Sequence, residues 1–212
     1  MNRRPDHMDT YAGMYVFPGG RVETSDWSET ILQQMRGVSP DQARQALGSD
    51  GAAELCLGYW VAAVRELFEE AGIHFFVDRS GEPIATAKGQ SSETLMEKRR
   101  ALQQGELDFA QLLVAESLHC DLGQLSYFFH RVTPEHYSTR FDTRFYLAAL
   151  PPEQEPLHTS EEVVESMWVT PGQALLRHEK KQAPMMPPTL AVLRTLADQP
   201  SWEALRRVYR IG

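Results

Sequence analysis

Between Leu57 and Ala71 the apolar residues Leu57, Val61, Val64, Phe68 and Ala71 recur at spacings of four and three, the period of one helical face. Gly72 follows where a helix C-cap favours glycine. The pattern predicts an amphipathic helix over 57–71, and nothing else in the chain constrains the fold as strongly. At about 100° per residue, with Glu66 set at zero, Glu70 falls at roughly 40° and Glu69 at roughly −60°. Three carboxylates therefore share the sector opposite the apolar face. Clustered like charges raise one another's pKa and cost stability unless a cation compensates, as a magnesium or manganese ion held by oxygen ligands would. The alternative is a solvated acidic face. Arg65, four residues before Glu69, is placed to hold that carboxylate.

Around this helix the chain reads as alternating short strands and helices. Tyr11 to Phe17, Ile73 to Val77, Tyr127 to Val132, Arg140 to Leu150 and Val163 to Val169 have strand character. Asp26 to about Ala46 predicts one or two short helices split near 37–40, with Asp41 as an N-cap, and Ser92 to Cys120 predicts two helices interrupted near Gly105. Thr170-Pro171 is a natural helix start running to about His178. Prolines 184, 187 and 188 precede a helix from Thr189 to Ala197, and Trp202 to Tyr209 forms a last one. The length, 212 residues, favours one elaborated domain.

A net charge of −8 argues against nucleic acid or an anionic membrane as a partner, since both require a basic surface. A small phosphorylated substrate needs only a few arginines or a metal ion. No apolar run approaches the roughly 20 residues that span a bilayer, which makes the cytoplasm the expected compartment. Cys56 and Cys120 lie alone in apolar surroundings and read as buried structural thiols.

The run Arg65-Glu66-Leu67-Phe68-Glu69-Glu70-Ala71-Gly72-Ile73 resembles the second half of the Nudix box, R-E-U-x-E-E-x-G-U with U aliphatic. Upstream, Phe17-Pro18-Gly19-Gly20-Arg21-Val22-Glu23 is similar to the loop that opens the same box. Past five intervening residues after Gly20 comes Asp26, an acid where the family has glutamate. Between Asp26 and Arg65 lie 38 residues where the box has seven, an insertion of 31. A frame with standard spacing would start at Gly51 and put Leu57 where the acid belongs, so the split frame is preferred. A split box resembles the Nudix subfamily that includes the peroxisomal coenzyme A diphosphatase of mammals and its bacterial relatives. Weaker matches follow in order at Arg131-Val132-Thr133-Pro134, at 140–146, at Glu162 ahead of Trp168 and at Pro187-Pro188-Thr189.

The resemblance implies an α+β Nudix fold, a mixed β-sheet between helices, in one domain over 1–212 with helical insertions at about 27–56 and 92–120. It implies Mg2+-dependent, or Mn2+-dependent, hydrolysis of a nucleoside diphosphate linked to another group, with coenzyme A or acyl-coenzyme A the leading substrate. ADP-ribose, NADH or a nucleotide sugar is the alternative, and a non-catalytic nucleotide-binding module is a second. Glu66 and Glu70 would be the principal metal ligands, Glu69 a third, and the Gly20 carbonyl would complete the shell. Arg65, Glu66, Glu69, Glu70 and Glu162 form the catalytic expectation, with Glu162 as general base. Arg21, Arg140 and Arg144 are expected to bind substrate phosphates. Alternation puts Arg140, Asp142 and Arg144 on one strand face, where a salt-bridged solvent face competes with that role. The two insertions are expected to cap the site and select substrate. Relatives carry a strand before the Gly-Gly loop, so an exposed sheet edge, covered in a homodimer, is a further expectation.

Overall fold

The computed structural model describes residues 1–8, 10–84, 90–136, 140–157 and 163–209, without the side chains of 90–92. In chain order the elements are β1 (Asn2–Arg3), β2 (Tyr15–Val16), α1 (Glu29–Gln33), β3 (Met35–Arg36), α2 (Pro40–Leu47), α3 (Ala53–Ala71) and β4 (Phe76–Val77). They continue with α4 (Gln90–Gln103), α5 (Phe109–Ala115), β5 (His119–Asp121), β6 (Ser126–Val132), β7 (Asp142–Leu147), β8 (Glu165–Ser166), α6 (Pro171–Glu179), α7 (Pro187–Ala197) and α8 (Trp202–Tyr209). Short 3-10 turns cover Thr24–Trp27 and Leu122–Gln124. The expected mixture of helices and strands is present, with the strands in three small sheets. No helix among the described residues is long and apolar enough to cross a membrane.

Two compact units emerge from the chain. The first comprises residues 1–18, 126–147 and the chain from 157 onward. Its antiparallel sheet has the order β2-β1-β8, so Asn2–Arg3 is paired on both sides and the expected bare edge at the first strand is not seen. The strand expected over Tyr11 to Phe17 shrinks to Tyr15–Val16 because Tyr11 at φ 56° and Gly13 at φ 68° turn the chain. Tyr15, Ala174, Ala183, Met185, Leu190 and Leu193 form a core between this region and α6 and α7. Thr170 caps α6 by accepting from the Gln173 N–H, with Pro171 in the first turn. In α7, Pro187 and Pro188 occupy the first turn, where their missing N–H groups cost nothing, while Pro184 precedes the helix as expected.

The hairpin β6-β7 belongs to the same unit, with Ser126 opposite Leu147 and Val132 opposite Asp142. Phe145 packs edge-on against Phe129 and Phe17, while Arg144 and Asp142 point to the other side, the alternation expected of a strand.

The second unit comprises residues 19–125 and 148–156. Its sheet is mixed, β3-β5-β4, with β3 parallel and β4 antiparallel to β5. The segment 27–56, expected as a helical cap, supplies α1, α2 and also strand β3 at Met35–Arg36, which two residues of alternation could not announce. It buries Ile31, Met35, Ala43 and Cys56, so it is part of this unit's interior. Ser39, rather than Asp41, caps α2, in a reciprocal capping box with Gln42. The break near Gly105 separates α4 from α5 as expected, with Asp108 capping α5. Cys56 and Cys120 are both buried and free, and burial pushes the Cys120 thiol up.

Candidate active site

Helix α3 is 19 residues long and ends where Gly72 enters the left-handed region at φ 70°. Its predicted apolar face is buried throughout: Leu57, Val61, Val64 and Phe68 are each no more than 2% exposed. Burying such side chains contributes about 1.5–3 kcal/mol apiece, enough to fix the helix's rotation about its axis. The Thr24–Trp27 turn packs against this helix at Gly58, where a Cβ would come within 3.2 Å of the Trp27 ring. Glycine inside a helix is unfavourable by roughly 1 kcal/mol. Here it lets the Thr24–Trp27 turn approach closely enough for Asp26 to reach Arg65.

That contact closes the split motif. Arg65 Nε donates to Asp26 Oδ1 at 2.8 Å and Nη2 donates to Oδ2 at 3.0 Å, across 39 positions of sequence. Asp26 is 1% exposed and Arg65 5%. Nη2 also donates to the Arg21 carbonyl at 2.8 Å, and Nη1 lies 2.8 Å from Glu66 Oε1 and 3.5 Å from Glu69 Oε1. Oxygens thus surround every nitrogen of the guanidinium fork. Asp26 is itself held by the Glu23 N–H at 2.8 Å.

Burial alone would push the Arg65 guanidinium down, but the hydrogen bonds and charge of Asp26, followed by Glu66 and Glu69, outweigh it and hold Arg65 above its ordinary value. Burial raises the Glu69 carboxyl above the usual carboxylate range, against the pull of Arg65.

The Gly-Gly loop meets the helix at Glu66. A Cβ on Gly20 would sit 2.5 Å from the Glu66 carboxyl carbon and 2.6 Å from Oε2. Only a residue without a side chain lets this backbone lie against that carboxylate. Arg21, the next residue, is exposed, and its carbonyl is the group that Arg65 holds.

The structure therefore brings together Gly20, the Arg21 backbone, Asp26, Arg65, Glu66 and Glu69. Glu70 lies on the same helix, 7% exposed. Among the described residues no group of three or more His, Cys, Asp or Glu side chains is gathered as a ready ligand set. Arg65 holds an oxygen of Glu66 and one of Glu69. The donor chemistry, hard carboxylate oxygens within one helical turn beside a loop that glycine leaves open, nonetheless fits a hard divalent cation.

Other expected residues lie in the first unit. Arg144 Nη1 is 3.2 Å from Asp142 Oδ1, and His130 Nε2 pairs with the same carboxylate. Arg140 is exposed, just ahead of β7, and its Nε donates to the Thr133 carbonyl at 3.1 Å. The competing salt-bridged reading thus describes Arg144 and Asp142. Glu162 lies outside the described residues. Sequence reasoning gave Arg65 a single partner, Glu69. The count from Gly20 to Asp26 was the signal for its main one.

A box divided in sequence and closed in space by an arginine–aspartate pair marks the chain as a Nudix domain. It belongs to the NUDT19 Nudix domain family, whose model matches residues 1–196. It is 29% identical to the acyl-coenzyme A diphosphatase NUDT19 of Gallus gallus over 227 residues, covering 91% of this chain and 59% of that protein. It is 27% identical to the human protein of the same name over 232 residues, covering 97% of this chain and 62% of that one. The chain thus spans about 60% of the length of these relatives. The crystal structure of a NUDIX hydrolase from Alicyclobacillus acidocaldarius matches with a TM-score of 0.74 and 27% identity, over 100% of this chain and 88% of that one. Nudix hydrolases generally use a divalent metal.

Proposed function

We propose that the chain hydrolyses the diphosphate linkage of coenzyme A or its acyl thioesters, using Mg2+ or Mn2+, and that residues 1–212 form a single catalytic domain. The observation that carries this reading is the Asp26–Arg65–Glu66 constellation against Gly20, together with the acyl-coenzyme A diphosphatase relatives. Glu66, Glu69 and Glu70, with the Gly20 carbonyl, would hold the cation. A cation so held supplies charge neutralisation on the phosphate oxygens and lowers the pKa of bound water.

The protein's own contribution is positioning. Arg65, expected among the catalytic residues, is buried with its donors committed to protein oxygens, which suits it to a positioning role: it fixes Glu66 and Glu69 relative to the loop. Attack of water on one phosphorus breaks the P–O–P bond and yields 3',5'-adenosine diphosphate and 4'-phosphopantetheine, acylated or not. Glu162 remains our candidate to accept the proton from that water, and Arg21, Arg140 and Arg144 our candidates for the substrate phosphates.

A substrate panel tests the assignment. Purified protein with Mg2+ or Mn2+ is offered coenzyme A, an acyl-coenzyme A, ADP-ribose and NADH, and the products are separated by chromatography. Coenzyme A and its thioester should be cleaved with the highest kcat/KM. Preference for ADP-ribose or NADH would overturn the substrate, and inactivity on all four would overturn the enzyme.

A further inference from the structure

An α-helix leaves the carbonyls of its last turn without partners from the helix itself, and its C-terminus carries partial negative charge. Helix α3 has no basic residue of its own in that turn. The Gly72 N–H serves the Phe68 carbonyl at 2.9 Å, and the neighbouring α4 supplies further donors. Arg99 Nε donates to the Phe68 carbonyl at 2.9 Å and Nη2 to the Glu70 carbonyl at 3.3 Å. Gln103, one turn further along α4, donates to the Glu69 carbonyl at 2.7 Å. Three consecutive carbonyls, two of them belonging to the acidic residues themselves, are thus gripped from one helix.

Arg99 is 6% exposed, and burial lowers its guanidinium below the ordinary value, aided by Arg100. The charge opposes the negative end of α3 and is attracted by Glu69.

We propose that Arg99 and Gln103 are positioning residues for the cation-binding end of α3: they clamp the Phe68–Glu70 main chain from behind, so that Glu69 and Glu70 project from a last turn that cannot fray. This rests on the reading of those carboxylates as cation ligands. It gives α4, in the segment expected to cap the substrate, a role exercised through the metal site.

The test is Mn2+ binding to the folded protein, followed by electron paramagnetic resonance of the free ion, with hydrogen exchange at residues 69–73 measured alongside. R99M should weaken Mn2+ binding by about 10–100-fold, the range seen when groups that orient metal ligands are removed. R99K keeps the charge but not the fork and should fall between. Gln103 is exposed, so Q103A will fold whatever the fate of R99M, and it should weaken binding severalfold. K98M removes the Lys98–Glu116 ion pair, 3.1 Å, from the same helix and should leave binding unchanged. Exchange at 69–73 should quicken in R99M and Q103A only, and the KM for coenzyme A at saturating Mn2+ should not move. Wild-type or tighter Mn2+ binding in folded R99M and Q103A would overturn the clamp. Absence of Mn2+ binding in the wild type would instead overturn the metal reading beneath it.

Discussion

Removing the Asp26 charge probes the closure of the split box. Asp26 and Arg65 are 1% and 5% exposed and share two hydrogen bonds of 2.8 and 3.0 Å. Removing one partner of a buried pair costs about 3–5 kcal/mol, because the other is left charged and out of water. In D26N the guanidinium keeps Glu66, Glu69 and the Arg21 carbonyl, which places the loss near the lower end, about 3 kcal/mol. For a chain of this size each kcal/mol moves Tm by about 2–4 °C, so D26N should melt about 6–12 °C below wild type. The freed guanidinium should also pull harder on Glu66 and Glu69, and a misplacement of about 1 Å in such a site costs about 100-fold in rate. The double variant D26L/R65M separates the two effects. Replacing a buried pair by apolar side chains is often neutral, but R65M also strips Glu66, Glu69 and the Arg21 carbonyl of their donor. Tm should therefore recover only in part from the D26N loss, while activity stays low because nothing holds Glu66 and Glu69. Thermal unfolding and kcat on the same preparations decide. A D26N variant melting within 2 °C of wild type, or single-variant losses that simply add in the double, would mean that the Asp26–Arg65 pair does not hold the box closed.

Two further outcomes follow from the same unit. G20A should fold normally, because the Cβ displaces only the flexible end of Glu66, yet lose about 100-fold in kcat as that carboxylate moves; unchanged kcat would contradict the contact. His74 is 1% exposed, accepts at Nδ1 from the Phe76 N–H, and has no partner for Nε2 among the described residues; burial lowers its pKa from 6.5 to about 4. The unfolded chain then binds this proton more readily, so the contribution is present above pH 6.5 and is lost as pH falls from 6.5 to about 4. It amounts to about 3 kcal/mol, at roughly 1.36 kcal/mol per pH unit. H74F should flatten that part of the stability profile in urea titrations, and an unaltered slope would assign it to other groups.

Much of this was legible in the residue pattern. The apolar period of α3 shows that Leu57, Val61, Val64 and Phe68 are buried; that Arg65 and Glu70, off that stripe, are buried as well it does not show. The Thr170-Pro171 start and the break near Gly105 announced themselves through cap and turn chemistry. Strands of two residues, such as Met35–Arg36, were invisible because so short a segment has no period to read. Arg65 was assigned a partner four residues away, since local spacing is all that a helix period supplies. Its main partner, Asp26, depends on a tertiary approach made possible by Gly58. Arg99 left a faint mark, an arginine at helical spacing between Leu95 and Leu102 on what proves to be the buried side of α4. Nothing in that spacing says which carbonyls it meets.

The acidic face of α3 is proposed to form a metal-dependent diphosphatase site. Its most direct test is coenzyme A cleavage by wild type and E70Q at saturating Mg2+, with unfolding curves recorded on both. Wild type should give stoichiometric 3',5'-adenosine diphosphate and 4'-phosphopantetheine, and none without the metal, while E70Q should lose turnover yet melt as a folded chain. Equal turnover by E70Q, or cleavage that persists in excess chelator, would contradict it.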